Sequence, residues 1–176
     1  MKLIILDQDG VINNDSNIIA KISSEWRPIP GSPEAIACLN QAGYRVVVAS
    51  NRSCDRKVLD MPAFNAMNDK MYKAVNQAGG RIDATFFSPH FNIEKYSCSK
   101  SLILIFEEIA QRFGTDLKNA PIVGDELRYL RAATLVGASP IMVLTGKGKK
   151  TKNARSLPKN TRIFTDLAAV ADTLTK

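Results

Sequence analysis

The chain has little of what marks secreted or membrane-embedded proteins. Its 176 residues hold three cysteines, Cys38, Cys54 and Cys98. An odd number at scattered positions makes no disulfide framework, and reduced thiols fit a cytoplasmic protein. No stretch approaches the roughly 20 apolar residues of a membrane-spanning helix. The opening Met1-Lys2-Leu3-Ile4-Ile5-Leu6 is too short an apolar run for a secretory leader, and acids follow at once. No internal repeat is present. Between Thr145 and Thr165 acids are missing, while Lys147, Lys149, Lys150, Lys152, Arg155, Lys159 and Arg162 accumulate. These seven cations equal the whole formal net charge of +7, so the rest of the chain is balanced. That distribution argues against a nucleic-acid-binding face. It predicts a solvated, flexible basic loop able to attract a phosphorylated ligand.

What remains is a globular composition, 45% hydrophobic and 23% charged. The length fits a single domain over residues 1–176, expected as a monomer without nucleic-acid or membrane partners. Short apolar runs alternate with helical patterns. Leu3–Leu6, Tyr44–Ala49, Ala84–Phe87, Ala120–Val123 and Ile141–Leu144 read as strands, and Arg162–Phe164 as a short last one. Helices are predicted from a Ser32 cap with Pro33 at the first position to Gly43, and along Phe64, Met67, Met71, Val75 and Ala78. Further helices are predicted over Leu102–Phe113, Glu126–Val136 and Asp166–Leu174. Such alternation implies an α/β fold, a doubly wound and mostly parallel sheet covered on both faces. Ligands of such sheets bind beyond the carboxyl ends of the strands. The long irregular stretches Asp15–Gly31 and Ser88–Ser99 would shape that region.

Three strand ends there carry chemistry. The first ends in Asp7-Gln8-Asp9-Gly10, the second in Ser50-Asn51-Arg52, the fourth in Gly124-Asp125-Glu126. Lys100 opens the helix after the third. With 11 Asp and 10 Gly, Asp-x-Asp-Gly is expected by chance roughly 0.04 times, and its place after an N-terminal apolar strand sharpens the signal. Phosphoryl transfer needs cations to screen the anionic ester. Asp7, Asp125 and a backbone carbonyl near Asp9 can hold Mg2+ through oxygen ligands. Asp7 can then attack phosphorus, with Asp9 as general acid and base. Ser50 and Lys100 can bind the phosphoryl oxygens.

These residues resemble the haloacid dehalogenase superfamily of aspartate-nucleophile phosphatases. More narrowly, the chain resembles the D-glycero-D-manno-heptose 1,7-bisphosphate phosphatases and their histidinol-phosphatase relatives. The resemblance runs through Leu6–Asn13, Glu25–Ser32, Gly79–Asp83, Phe86–His90, Ile122–Asp125 and Leu144–Gly148. It implies a Rossmann-like fold with no large cap domain. It also implies a Mg2+-dependent phosphomonoesterase of carbohydrate and lipopolysaccharide metabolism, working through an aspartyl-phosphate. Matched residue by residue, Asp7 is the nucleophile, Asp9 the acid/base, Ser50 and Lys100 the phosphate binders, and Asp125 the metal carboxylate. Asn51 and Arg52 fall at the substrate mouth. Other small substrates (histidinol phosphate, a nucleotide) and a weakly catalytic phospholigand-binding relative are the alternatives.

The sequence departs from the family at identifiable points. A zinc loop of Cys-x-His and Cys-x-Cys reads here as Ser88, His90, Tyr96 and Cys98, and serine and tyrosine are poor zinc ligands, so no structural zinc is expected. An arginine that helps bind the distal part of the substrate is replaced by Ser99. The residue after the metal aspartate is Glu126 rather than lysine, and a second aspartate is replaced by Tyr129.

Overall fold

Alternate residues of the first strand face opposite ways. Ile4 and Leu6 join one apolar layer and Leu3 and Ile5 the other, all essentially without solvent contact. A strand buried on both faces needs an unbroken apolar run, which is why Leu3-Ile4-Ile5-Leu6 shows no polar alternation. The computed structural model describes residues 1–14, 26–50, 61–87 and 98–176, apart from the side chains of Cys98 and Ser99.

The strands are β1 (Lys2–Leu6), β2 (Tyr44–Ser50), β3 (Ala84–Phe87), β4 (Pro121–Gly124), β5 (Ser139–Val143) and β6 (Arg162–Phe164). The described helices are α1 (Ser32–Gln41), α2 (Met61–Gln77), α3 (Cys98–Phe113), α4 (Leu127–Leu135), α5 (Gly148–Lys152) and α6 (Leu167–Leu174). All six strands pair in parallel, in the order β3-β2-β1-β4-β5-β6. The central strand is therefore β1, and the chain reverses its direction of travel across the sheet there. Such a switch point opens a crevice beyond the strand ends.

One face of the sheet is covered by α1, α2 and α6 through Ile36, Leu39, Met67, Met71, Leu167 and Val170. The other is covered by α3 and α4 through Leu102, Phe106, Ile109, Tyr129 and Ala132. The architecture is the expected doubly wound α/β fold, and no large cap domain is evident among the described residues. No described helix is long and apolar enough to cross a membrane.

Two local expectations are corrected. Ser32 does not cap α1. Gly31 takes the cap position with φ 86°, and Ser32 is the first helical residue. Its hydroxyl donates instead to the Val11 carbonyl at 2.8 Å, tying α1 to the loop after β1. The basic segment after Thr145 is not simply a solvated loop. It forms the short helix α5, and Gly148 is buried against the Val143 carbonyl with no room for a Cβ.

Candidate active site

Asp7 follows the last residue of β1 and is only 5% exposed. Its backbone N–H donates to the Val123 carbonyl at 2.9 Å, which holds the Asp7 backbone against β4. Its Oδ1 accepts the Gln8 backbone N–H at 2.8 Å. Beyond it the chain makes a tight loop. Gln8 O accepts the N–H groups of Ile12 and Asn13, and Gly10 N–H returns to Asn13 O at 2.8 Å. Gly10 sits at φ 80°, a region that side chains disfavour, and a Cβ there would lie 2.0 Å from Asp125 Oδ2. Glycine thus allows both the turn and the approach of the Asp125 carboxylate.

The loop is clamped from several sides. The Gln8 side chain is fully buried and donates to Asn68 Oδ1 of α2 at 3.1 Å. Ile29 N–H donates to Ile12 O, and Thr145 Oγ1 donates to Gly10 O at 2.6 Å. Asp9, half-buried, accepts a 2.8 Å hydrogen bond from Asn13 Nδ2 on its Oδ1.

Asp125 follows β4 and is 3% exposed. Its Oδ2 accepts the Lys147 backbone N–H at 2.8 Å, and its carbonyl accepts Thr151 Oγ1 at 2.6 Å. Gly146 closes over it, where a Cβ would meet Asp125 Oδ2 at 2.3 Å and Gly10 Cα at 2.5 Å. The turn Thr145–Lys147 therefore locks the acidic loop to the β4 end. Ser50 ends β2, is 1% exposed, and its Oγ has no hydrogen-bond partner among the described residues. Because β1 lies between β2 and β4, these three side chains converge at one rim.

The charges collide. Asp7 is held well above the usual carboxylate range by burial, and then by Asp125, Asp9 and Glu126, with the Gln8 N–H offsetting part of this. Asp125 is pushed up to about 7, chiefly by burial, against the pull of the Lys147 N–H. Glu126 is neutralised differently, between Lys147 Nζ and Arg128 Nε at 2.6 Å each. Buried acids that repel one another beside an unpartnered hydroxyl form a site missing positive charge. Among the described residues no three His, Cys, Asp or Glu side chains form a metal cage. Mg2+ needs no such cage, since it usually takes one or two carboxylates and completes its shell with water and phosphate oxygens. The donor set of Asp7 and Asp125 fits that ion.

The structure thus brings Asp7, Asp9, Asp125 and Ser50 to one edge of the sheet. Lys100 lies in the first turn of α3, which follows β3, and is exposed. Asn51, Arg52, Cys54, Ser88, His90 and Tyr96 lie outside the described residues. Sequence reasoning gave no role to Asn13, Gln8, Asn68, Thr145 or Thr151. The stretch Leu144–Gly148 did stand out in the sequence, and its backbone holds Asp125. Asn68 gave no signal, because its partner is 60 residues away.

The fold and this carboxylate-lined rim define a haloacid dehalogenase-like hydrolase, and residues 97–170 match the HAD-hydrolase-like family. The D-glycero-beta-D-manno-heptose-1,7-bisphosphate 7-phosphatase of Bordetella bronchiseptica is 47% identical over 175 residues, covering 99% of this chain and 98% of that one. The protein of the same name from Pseudomonas aeruginosa is 42% identical, over 98% and 97% of the two chains. A crystal structure of the B. bronchiseptica D,D-heptose 1,7-bisphosphate phosphatase complexed with magnesium and phosphate superimposes with a TM-score of 0.90 at 44% identity, covering 99% of this chain and 98% of that one. The corresponding structure from Burkholderia thailandensis gives 0.79 at 46% identity, with full coverage of both chains. The chain belongs to the D-glycero-D-manno-heptose-1,7-bisphosphate 7-phosphatase family, and it is a phosphatase.

Proposed function

We propose that the protein is a Mg2+-dependent phosphomonoesterase that removes one phosphate from a heptose 1,7-bisphosphate. Two findings support this reading. Relatives of that name match nearly the whole chain. Asp7 and Asp125 also lie buried with their charges in conflict beside the unpartnered Ser50 hydroxyl. The second observation carries the mechanism, because a phosphoryl group and a divalent cation would satisfy all three groups together.

Asp7 Oδ1 is engaged by the Gln8 N–H, which leaves Oδ2 to attack phosphorus. The P–O bond to the sugar breaks as Asp9 gives its proton to the leaving oxygen. Asn13 Nδ2 donates to Asp9 Oδ1 and so orients the carboxyl group for this transfer. Asp9 then takes a proton from the water that cleaves the aspartyl-phosphate, releasing inorganic phosphate and restoring Asp7. Ser50 and Lys100 hold the non-bridging phosphoryl oxygens. Asp7, Asp125 and the Asp9 main chain would hold Mg2+, which would supply charge neutralisation for attack by one anion on another.

The second phosphate of the substrate calls for further cations. Arg52, two residues after Ser50 in the sequence, is proposed as one. An open depression of about 510 Å3 beside Glu126, lined by Arg128, Arg131, Lys147 and Lys150, offers more. The protein acts as a single domain and a monomer in the cytoplasm, without structural zinc.

The test is phosphate release from a panel of sugar mono- and bisphosphates, with and without Mg2+. The reading expects a heptose bisphosphate to lead the panel and activity to vanish with EDTA. Faster turnover of histidinol phosphate or a nucleotide would overturn the substrate, and metal-independent turnover would overturn the mechanism.

A further inference from the structure

Tyr129 is a large polar residue in the first turn of α4, four residues after Asp125, and it has no solvent exposure. Its ring stands edge-on to Phe106 of α3, with centroids 5.4 Å apart and planes at 83°. On its other side lies Gly124, where a Cβ would fall 2.6 Å from the Tyr129 ring. Phe106 and Gly124 both pack against the ring. From there its hydroxyl donates to the Ala49 carbonyl at 3.0 Å. Ala49 directly precedes Ser50 at the end of β2.

The topology gives this bond its meaning. β2 and β4 never pair, because β1 lies between them. Tyr129 starts from the β4 side, crosses the α3–α4 face of the sheet behind the end of β1, and reaches β2. One side chain thus joins the loop carrying Asp125 to the strand end carrying Ser50, with Asp7 between. Its hydroxyl lies close enough to Asp7 and Asp125 to feel both charges. A packing role alone would be met by phenylalanine. The hydroxyl is what ties one side to the other.

We propose that Tyr129 is a positioning residue, which fixes through the Ala49 carbonyl the distance between the phosphate-binding hydroxyl of Ser50 and the cation-binding carboxylate of Asp125. The proposal rests on the roles given to Ser50 and Asp125 above. It predicts that the Tyr129 hydroxyl matters for phosphoryl-group recognition and much less for folding or metal binding.

The experiment is a double-mutant cycle with the full chain. Tyr129→Phe, Ser50→Ala and the double variant are compared in kcat, KM, Mg2+ affinity and melting temperature. Tyr129→Phe is expected to lower kcat/KM about tenfold in the wild-type background, the size of one misplaced hydrogen bond. It is expected to lower it less than about twofold when Ser50 is already alanine. Mg2+ affinity should stay within about threefold, since Asp125 keeps its Lys147 bond. Equal losses in both backgrounds would overturn the proposal, as would a loss confined to Mg2+ affinity or an unchanged kcat/KM. A wild-type protein inactive on every phosphate ester would instead refute the functional reading. Normal wild-type activity with an impaired Ser50→Ala and an unaffected Tyr129→Phe would refute only the role of Tyr129. Should the double variant unfold, binding of inorganic phosphate by each single variant in Mg2+ decides. Tyr129→Phe is then expected to weaken it by a factor similar to Ser50→Ala, and unchanged phosphate binding overturns the proposal.

Discussion

The acidic loop Asp7–Asn13 and the basic segment that begins at Lys147 carry opposite charge and handle it in opposite ways. The acidic loop buries its charge. Asp7 is almost wholly enclosed, has no cation paired to it among the described residues, and accepts the Gln8 backbone N–H, while side-chain hydrogen bonds at Gln8 and Gly10 anchor the loop around it. The basic segment leaves its charge outside. Lys149, Lys150, Lys152 and Arg155 are exposed or nearly so, and water carries the cost of their repulsion. Yet the two regions meet, because the Thr145 hydroxyl donates to the Gly10 carbonyl, Gly146 packs on Gly10 and Asp125, and the Lys147 backbone N–H donates to Asp125. The difference teaches where function resides. On the mechanism proposed above, the side chains of the acidic loop do the chemistry and the backbone places them. In the basic segment the Lys147 backbone N–H and the Thr151 hydroxyl do the placing, and on the same mechanism the cationic side chains take no part in the bond-breaking steps.

This contrast can be broken by substitutions in either region. The largest effect belongs to Asp7. Asp7→Asn removes the attacking oxygen with little change in shape, and kcat should fall by at least about a thousandfold in a phosphate-release assay. Asp9→Asn should slow turnover by about a hundredfold or more while KM changes little, because only proton transfer is lost. Next comes Gly146→Ala. Its Cβ would intrude on Asp125 Oδ2 from a residue at φ 58°. Mg2+ affinity by calorimetry should weaken about tenfold or more, with a loss of about 2 kcal/mol in stability.

A subtler effect is the pH dependence of the metal-free protein. The folded state raises Asp125 from 3.8 to about 7 and moves Asp7 the same way. Folded molecules then keep protons that unfolded chains have released, so stability falls as pH rises from about 4 through about 7. On the proposed mechanism Mg2+ would bind the ionised carboxylates, and its stabilising effect should grow across that window. Melting temperatures with EDTA and with Mg2+, over about pH 5 to about pH 8, check this. The smallest effect is expected from Lys147→Ala. The side chain is 42% exposed and pairs with Glu126, which retains Arg128. The backbone N–H that holds Asp125 remains, so Mg2+ affinity should change less than about threefold. A large loss there would erase the distinction between the two regions.

Much of this was legible before the fold was known. Continuous apolar runs marked β1, β2 and β5 because the stretches buried on both faces, such as Leu3–Leu6 and Val46–Ala49, are filled by apolar side chains, although β5 starts earlier, at Ser139, than the run Ile141–Leu144 suggests. Asp7, Asp9, Ser50 and Asp125 were legible because strand ends in a parallel sheet share one edge. Their supports were not. Asn68, Thr145 and Tyr129 act on partners 60, 135 and 80 residues away, and no local pattern encodes such distances. Ser32 misled for a related reason. A serine before proline reads as a helix cap, but the nearby Val11 carbonyl claims its hydroxyl.

The central claim is that Asp7 attacks phosphorus at a rim shared with Asp125 and a divalent cation. Fluorine NMR of the protein with beryllium fluoride, a mimic of the phosphoryl group on aspartate, tests it most directly. A bound signal should form with Mg2+ present and be absent after EDTA, in Asp7→Asn and in Asp125→Ala. A bound signal that persists in Asp7→Asn, or none in the wild-type protein with Mg2+, would contradict the account.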